Sequence, residues 1–278
     1  MFKTCLNTST LRGYGLPLAQ EIEIAAQAGY DAIEPWLSEM ATHEKSGAKL
    51  EDLARKTRDL GLSVQGAIGF FEWIVDDESR RQTALETARR DMDRVARIGG
   101  HLIAAPPMGA TEVSNINLFA AAERYAKLCD LGREMGVRPL VEVWGFSQTL
   151  SRLGEAVFVA VESGHEDAGV LADVYHLHKG GSPHSGLALL NGEKLPLFHV
   201  NDYPAQPSRA EIKDEQRVYP GDGVAPLHDI FSTLNSIGFD GYLSLELFNP
   251  NYWHGDALET AKTGLEKLRD VLNSMPNA

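Results

Sequence analysis

Four ionisable residues of this sequence stand inside apolar runs, where charged side chains are rare. Glu142 interrupts LVEVW, Asp173 follows VLA, His199 follows LF, and Glu246 lies in LSLELF. An ionised carboxylate in apolar surroundings is costly unless a partner compensates its charge. Three acids and one histidine of this kind therefore call for a shared partner, and a divalent cation is the simplest one.

The chemistry of this set favours one bound metal ion. Three carboxylates and one imidazole suit Mn²⁺, Zn²⁺, Co²⁺ or Mg²⁺ and leave coordination positions for substrate oxygens. We predict that Glu142, Asp173, His199 and Glu246 bind one such ion; the sequence does not choose among the four metals. For each residue taken alone, the alternative is an edge position or an ion pair with Lys or Arg.

Five further residues are candidates for substrate binding. His176 lies three residues beyond Asp173, at the predicted lip of a strand. Arg217 precedes a Pro-Gly turn in a long loop, and its guanidinium can bind a substrate oxygen or an enediolate; the alternative is a solvated surface arginine. The tryptophans lie near predicted strand ends, where they either wall a sugar-sized pocket or pack in the core. They are Trp36, Trp144 and Trp253.

These residues are positioned by a pattern that repeats eight times: a short apolar run, followed by a segment of helical period. The predicted strands are 3–7, 30–36, 62–69, 101–106, 138–144, 169–175, 196–201 and 241–248. The predicted helices are 17–28, 49–60, 78–98, 115–135, 148–163, 184–191, 226–237 and 255–273.

Repeated strand-helix units in a chain of 278 residues predict a single (β/α)₈ TIM barrel that covers 1–278 as one domain. In such a barrel the site is built where strands meet the loops that follow them. The irregular stretch 202–225 follows the seventh strand, and a loop of that length is usually functional. A doubly wound open sheet is the alternative, but the turn after the first strand lacks the glycine pattern that binds phosphates.

Composition excludes several classes of function. The formal net charge of −13 repels phosphate backbones and anionic membrane surfaces, so we expect no nucleic-acid or membrane partner. No apolar stretch approaches the ~18 residues that a membrane span requires. The two cysteines are too few for a stapled secreted scaffold, which favours a reducing cytoplasm. The oligomeric state stays open, with a homo-oligomer among the options.

The motifs, in their order along the chain, resemble the xylose isomerase-like superfamily of (β/α)₈ barrels. The segments that carry the resemblance are VEV at 141–143, DVYH at 173–176, FHVND at 198–202, RVYPG at 217–221 and LELF at 245–248. Within the superfamily, TCLN at 4–7, DEQRVYPG at 214–221 and ELFNPNY at 246–252 are most similar to inosose (2-keto-myo-inositol) isomerases.

The resemblance implies an enzyme that isomerises or epimerises a small keto-polyol, an inosose or a keto-sugar, through an enediolate. It implies that Glu142 and Glu246 serve as acid and base on opposite sides of the substrate, besides binding the metal. A dehydratase or other lyase on a related substrate is the alternative, and a non-catalytic sugar-binding barrel is a weaker one. An endonuclease IV-like nuclease is disfavoured, because the ends of strands three and four, GAIGF and APPM, lack the histidines of its trinuclear zinc site.

The ligand prediction is tested by metal analysis of the purified protein. We expect one divalent ion per chain, and we expect Asp173→Ala or His199→Ala to lower the occupancy because each removes one of four ligands. Two or three tightly held ions per chain would contradict the prediction and revive the nuclease alternative.

Overall fold

The computed structural model describes residues 2–275; the remaining positions of the predicted 1–278 domain, Met1 and 276–278, lie outside the described residues. The described strands, all paired in parallel, are β1 (Lys3–Asn7), β2 (Ala32–Glu34), β3 (Ser63–Val64), β4 (Gly66–Ile68), β5 (Leu102–Ala105), β6 (Arg138–Glu142), β7 (Val170–Asp173), β8 (Leu197–Val200) and β9 (Tyr242–Leu245).

The order of the strands is that of a barrel. It runs β3-β2-β1-β9-β8-β7-β6-β5-β4, so both ends of the order come from the predicted third strand, 62–69. The backbone of Gln65 joins these ends, because its N–H donates to Ile33 O (3.1 Å) and its carbonyl accepts from Leu102 N (3.1 Å). The predicted TIM barrel is confirmed, with the third of its eight strands divided into β3 and β4 at Gln65.

The helices follow the strands around the outside of the barrel. They are α1 (Leu18–Ala28), α2 (Leu37–Lys45), α3 (Leu50–Asp59), α4 (Glu78–Ile98), α5 (Leu118–Met135), α6 (Leu153–Glu162), α7 (Val174–Gly180), α8 (Leu227–Ser236) and α9 (Ala257–Asn273). None of the helices within residues 2–275 combines the length and the apolar character that a membrane span needs.

Three local predictions differ from the structure. The predicted strand 169–175 ends at Asp173, because its side chain accepts from His176 N (2.8 Å) and caps the unpredicted helix α7. The unpredicted α2 begins after Trp36, whose backbone N–H is bound by the carboxylate of Glu39 (2.9 Å). The predicted helix 184–191 is a 3₁₀ helix over His184–Leu189.

The side chains of a strand point alternately to its two faces, and this alternation directs the site residues into the barrel. Leu140, Leu171 and Leu197 belong to a small buried cluster contributed by β4 to β8. Side chains two residues apart on a strand lie on the same face. Glu142, Asp173 and His199 each follow one of these leucines by two residues, and the apolar rows therefore continue into the polar end of the barrel.

Tyr125 on α5 fastens this helix to β6 and to the entry of β7. Its buried hydroxyl lies 2.8 Å from Pro139 O, and it accepts the Gly169 N–H at 3.1 Å.

We expect Tyr125→Phe to lower the free energy of unfolding by about 1–3 kcal/mol, because the ring stays while buried polar groups lose their partner. Denaturant unfolding measures this. Tyr242→Phe is the control, since that hydroxyl makes only a 3.4 Å contact with Ser63 Oγ; equal midpoints for both variants would contradict the prediction.

Candidate active site and metal centre

The four predicted metal ligands lie at the C-terminal end of the barrel and are all buried. Asp173, His199 and Glu246 each offer one ligand atom, and these three atoms lie within 4.8 Å of one another. Glu142 lies outside this group of three, although it lines the same cavity as Glu246. The structure therefore brings three of the four predicted ligands together and places Glu142 beside them.

The donor atoms of these residues fit a divalent ion. His199 Nδ1 and Glu142 Oε2 are both buried without a hydrogen-bond partner among the described residues. His199 Nδ1 lies 3.3 Å from Glu246 Oε2 and 4.0 Å from Asp173 Oδ2, so the free nitrogen faces two carboxylates. One nitrogen and two oxygens, with a third carboxylate nearby, form a donor set that borderline and hard divalent metals accept.

Arg217 is the most deeply buried cation of this site, with 1% of its surface exposed. Its Nη1 donates to Asp173 Oδ2 (3.1 Å) and Glu246 Oε2 (2.7 Å), and its Nη2 also pairs with Asp214. The solvated alternative for Arg217 is therefore wrong. The residue contacts two predicted metal ligands directly, so it can orient them as well as meet a substrate.

His176 is buried next to Arg217, with its Nε2 3.2 Å from Arg217 Nη2. Its Nδ1 lies 3.3 Å from the backbone N of Gly145, which fixes the ring in place. Burial lowers the pKa of His176, and the neighbouring guanidinium lowers it further. The imidazole is therefore kept neutral at the edge of the cavity.

A cavity of about 300 Å³ opens above these residues, with polar groups on its floor and aromatic side chains on its walls. Its lining comprises Arg12, Trp36, Ile68, Phe70, Glu142, Trp144, Phe146, His176, Asp214, Arg217, Glu246 and Phe248. This combination of apolar walls with a few polar groups is typical of small-molecule sites.

The three tryptophans predicted to bind substrate lie in two different environments. Trp36 and Trp144 both line the cavity and flank Phe70, at ring-centroid distances of 5.3 and 6.2 Å. Trp253 is not part of this lining. Its indole N–H donates to Thr10 O (2.9 Å), and its ring packs so closely on Gly13 that a Cβ there would come within 2.1 Å of it. The structure thus gives Trp253 a packing position next to the 3₁₀ helix Thr8–Tyr14.

Sequence analysis missed three residues of the site. Glu34, at the end of β2, accepts from His199 Nε2 (3.0 Å), and Asn7, at the end of β1, donates to Glu34 (2.9 Å). Arg12 lines the cavity mouth with its guanidinium 3.7 Å from the Trp36 ring centroid. Glu34 could have been found from sequence, because it is an acid directly after the apolar Ala-Ile of a predicted strand.

The two predicted proton carriers differ in their electrostatic surroundings. Burial raises the pKa of Glu142 to about 8. Burial would also raise the pKa of Glu246, but His199 and Arg217 together hold it well below its usual range. Two carboxyls with opposite shifts are the arrangement in which one acts as an acid and the other as a base.

The fold is that of a known family. Residues 22–271 match the family of xylose isomerase-like TIM barrels, and the chain belongs to it. The inosose isomerase of Bacillus velezensis is 28% identical over 277 residues, which cover 98% of this chain and 97% of that protein. These relatives point to an enzyme of the sugar isomerase and epimerase type, as the motifs predict.

Two further comparisons bear on the reaction and the metal. The 3-dehydroshikimate dehydratase of Pseudomonas aeruginosa is 26% identical over 90% of this chain, which spans 39% of that longer protein. A crystal structure of the IolI protein with a bound zinc atom superimposes with a TM-score of 0.90 at 23% identity, covering 99% of this chain and 100% of the other.

The position of Arg217 predicts a pH-dependent loss of stability. In chelator-treated protein, we expect Arg217→Ala to cost about 3–5 kcal/mol at pH 7, because it leaves buried carboxylates without their counter-charge. Arg217 lowers the pKa of both Glu246 and Asp214 in the folded protein. That stabilisation is present above the unfolded carboxyl pKa of about 4 and is lost as pH falls through the folded values. In Arg217→Ala these carboxyls lose the charge that lowers their pKa, so they take up protons at a higher pH than in wild type. The difference from wild type should therefore shrink as pH falls from 7 towards 4.

Urea unfolding at pH 7 and pH 4 measures the effect. Arg133→Ala is the control, because that arginine pairs with Asp167 and Glu166 at the surface, where such a pair contributes at most about 1 kcal/mol. A loss for Arg217→Ala that equals the control, or that stays constant between the two pH values, would show that its ion pairs do not stabilise the fold.

Proposed function

We propose that this protein is a metal-dependent isomerase or epimerase of a small keto-polyol, an inosose or a keto-sugar, and that it works through an enediolate intermediate. The single observation that carries the proposal is the buried Asp173–His199–Glu246 group beside a cavity that Glu142 also lines. The inosose isomerases to which the chain is similar along almost their full length support the substrate class.

Asp173, His199 and Glu246 would hold one divalent ion, with Glu142 completing the set if its side chain turns towards them. The zinc in the IolI structure supports a bound metal; Mn²⁺, Co²⁺ and Mg²⁺ suit the same ligand types. When bound, such an ion supplies a Lewis acid that polarises a carbonyl group and acidifies the neighbouring C–H.

Glu142 and Glu246 are the proposed proton carriers. Glu142 is the last residue of β6 and Glu246 directly follows β9, with two strands between them in the barrel, and both line the cavity. One glutamate would remove the proton from the carbon next to the substrate carbonyl, and the same or the other glutamate would return a proton at the neighbouring carbon. Water has little access to either carboxyl, which favours transfer to and from the substrate.

The remaining residues of the cavity would bind and orient the substrate. His176 and Arg217 line this cavity, where they would contact substrate oxygens. Trp36 and Trp144 would pack against the C–H faces of the polyol, with Trp253 supporting the adjoining 3₁₀ helix rather than touching the ligand. A cavity of about 300 Å³ suits an unphosphorylated molecule with a single ring or a short chain.

A dehydratase is the second candidate. It shares the first proton abstraction but then expels a hydroxyl group from the carbon beyond. The similarity to 3-dehydroshikimate dehydratases supports it. Product analysis separates the two, because only the dehydratase releases an unsaturated ketone.

Two free cysteines support the proposed cytoplasmic setting. Cys5 and Cys129 are both buried and unpaired by any disulfide among the described residues, as expected for a protein that folds in a reducing compartment.

Turnover of a keto-inositol or ketose in D₂O tests the proposed chemistry. We expect deuterium on the carbon next to the carbonyl, because the enediolate takes its proton from an exchangeable carboxyl group. Glu142→Gln and Glu246→Gln should each slow exchange by about 10²–10⁴-fold, the usual cost of losing a general acid or base. Metal content is measured in parallel, so that a lost ion is not mistaken for a lost base. Wild-type exchange by both metal-replete variants would exclude the proposed proton carriers.

A further inference from the structure

Glu34 is a buried carboxylate that does not line the cavity and is not part of the Asp173–His199–Glu246 group. It is 1% exposed, and its Oε2 accepts from Asn7 Nδ2 (2.9 Å) and Ser244 Oγ (2.7 Å) and lies 3.0 Å from His199 Nε2. Its Oε1 lies 3.2 Å from the same His199 nitrogen. A carboxylate with this many donors and no route to the cavity has a task other than contact with substrate.

The two nitrogens of His199 have different surroundings. Nε2 makes hydrogen-bond contacts with both oxygens of Glu34, whereas Nδ1 has no hydrogen-bond partner among the described residues and faces Glu246 and Asp173. An ionised carboxylate only accepts hydrogen bonds, so the nitrogen that it contacts carries the hydrogen. When a metal ion is bound, the imidazole would be neutral and would keep its lone pair on Nδ1, on the side of the two carboxylates.

We propose that Glu34 is a positioning residue of the metal centre: it holds the His199 ring with its hydrogen on Nε2, and it thereby directs the Nδ1 lone pair to the divalent ion. A histidine ligand whose second nitrogen donates to a carboxylate is oriented and made more basic by that contact. The inference rests on the metal centre of the proposed function but on neither its substrate nor its reaction.

The register of the barrel places these residues together. Asn7 and Glu34 are direct partners across β1 and β2, and His199 and Ser244 are direct partners across β8 and β9. Since β1 also pairs with β9, the four side chains come from four consecutive strands. Each partner of Glu34 is therefore held by strand pairing rather than by a loop.

Asn7 and Ser244 restrain the carboxylate itself. Both donate to Glu34 Oε2, which leaves the group little freedom to rotate away from His199. Asn7 is in turn held by its Oδ1, which accepts from Ser9 N (3.0 Å) and Trp36 Nε1 (3.0 Å). The orientation of the imidazole is thus fixed by a chain of hydrogen bonds that ends at the backbone of Ser9 and the indole of Trp36.

The experiment measures Co²⁺ binding without substrate, from the visible absorption of the bound ion and by competition with a chelator. Glu34→Gln keeps the size but weakens the acceptor, and we expect 10- to 100-fold weaker binding. Glu21→Gln is the matched control, because Glu21 is equally buried but lies on α1 outside the site; its affinity should equal that of wild type. Equal affinities for both variants and wild type would overturn the inference.

A second measurement needs no variant at Glu34. In the Zn²⁺-loaded wild-type protein, nitrogen-correlated proton NMR should detect a slowly exchanging ring N–H of His199. The signal is assigned by its loss in His199→Gln. We expect the proton to be on Nε2. A proton on Nδ1 would overturn the inference. Ser244→Ala, which removes one donor to Glu34, should shift this resonance even if Glu34→Gln fails to fold. Wild-type protein that binds neither ion would reject the metal centre itself, and a bound ion with the proton on Nδ1 would reject only the role of Glu34.

Discussion

Carboxylates from four strands are buried at one end of this barrel, and their charge must be balanced largely from inside the protein because little of their surface is exposed to water. Glu34, Asp173 and Glu246 share His199 and Arg217 as positively charged or hydrogen-donating neighbours. A buried ion pair gives little net stability, but the loss of one partner is expensive. The positions of these five residues therefore depend on one another, and the elements that carry them must keep their register for the site to exist.

The same balance of buried charges gives the two cavity glutamates, Glu142 and Glu246, different electrostatic surroundings. Glu246 contacts both His199 and Arg217, whereas Glu142 has one oxygen with no partner among the described residues. Neither difference comes from the glutamate itself; both follow from which neighbouring strand or loop supplies a cation. The barrel can thus place two identical side chains in the same cavity and shift their pKa values in opposite directions.

The barrel and most of the site could be predicted from sequence, because both depend on local patterns. Apolar runs that end in an acid or a histidine identified Glu142, Asp173, His199 and Glu246. The same signal is present at Glu34, but its apolar run is short, because Pro35 follows directly. The depth of Arg217 could not be predicted. The path of its loop depends on distant contacts, such as Asp202 Oδ2 with the N–H groups of Gly221 and Gly223 (3.0 and 3.1 Å) and Asn249 with Arg217 O (2.9 Å).

The side chain of Asn7 connects groups that serve different purposes. Its amide nitrogen contacts Glu34 and, at 3.3 Å, Glu246, while its oxygen holds the indole of Trp36 in the cavity wall. Altering Trp36 to admit a different ligand would therefore disturb the ion-binding end of the barrel as well. Phe70 and Phe146 lie on the same wall, are exposed, and have no polar atoms to tie them to that end. Substitutions at these two phenylalanines can thus change the shape of the cavity with less effect on Glu34 and Glu246 than substitutions at Trp36.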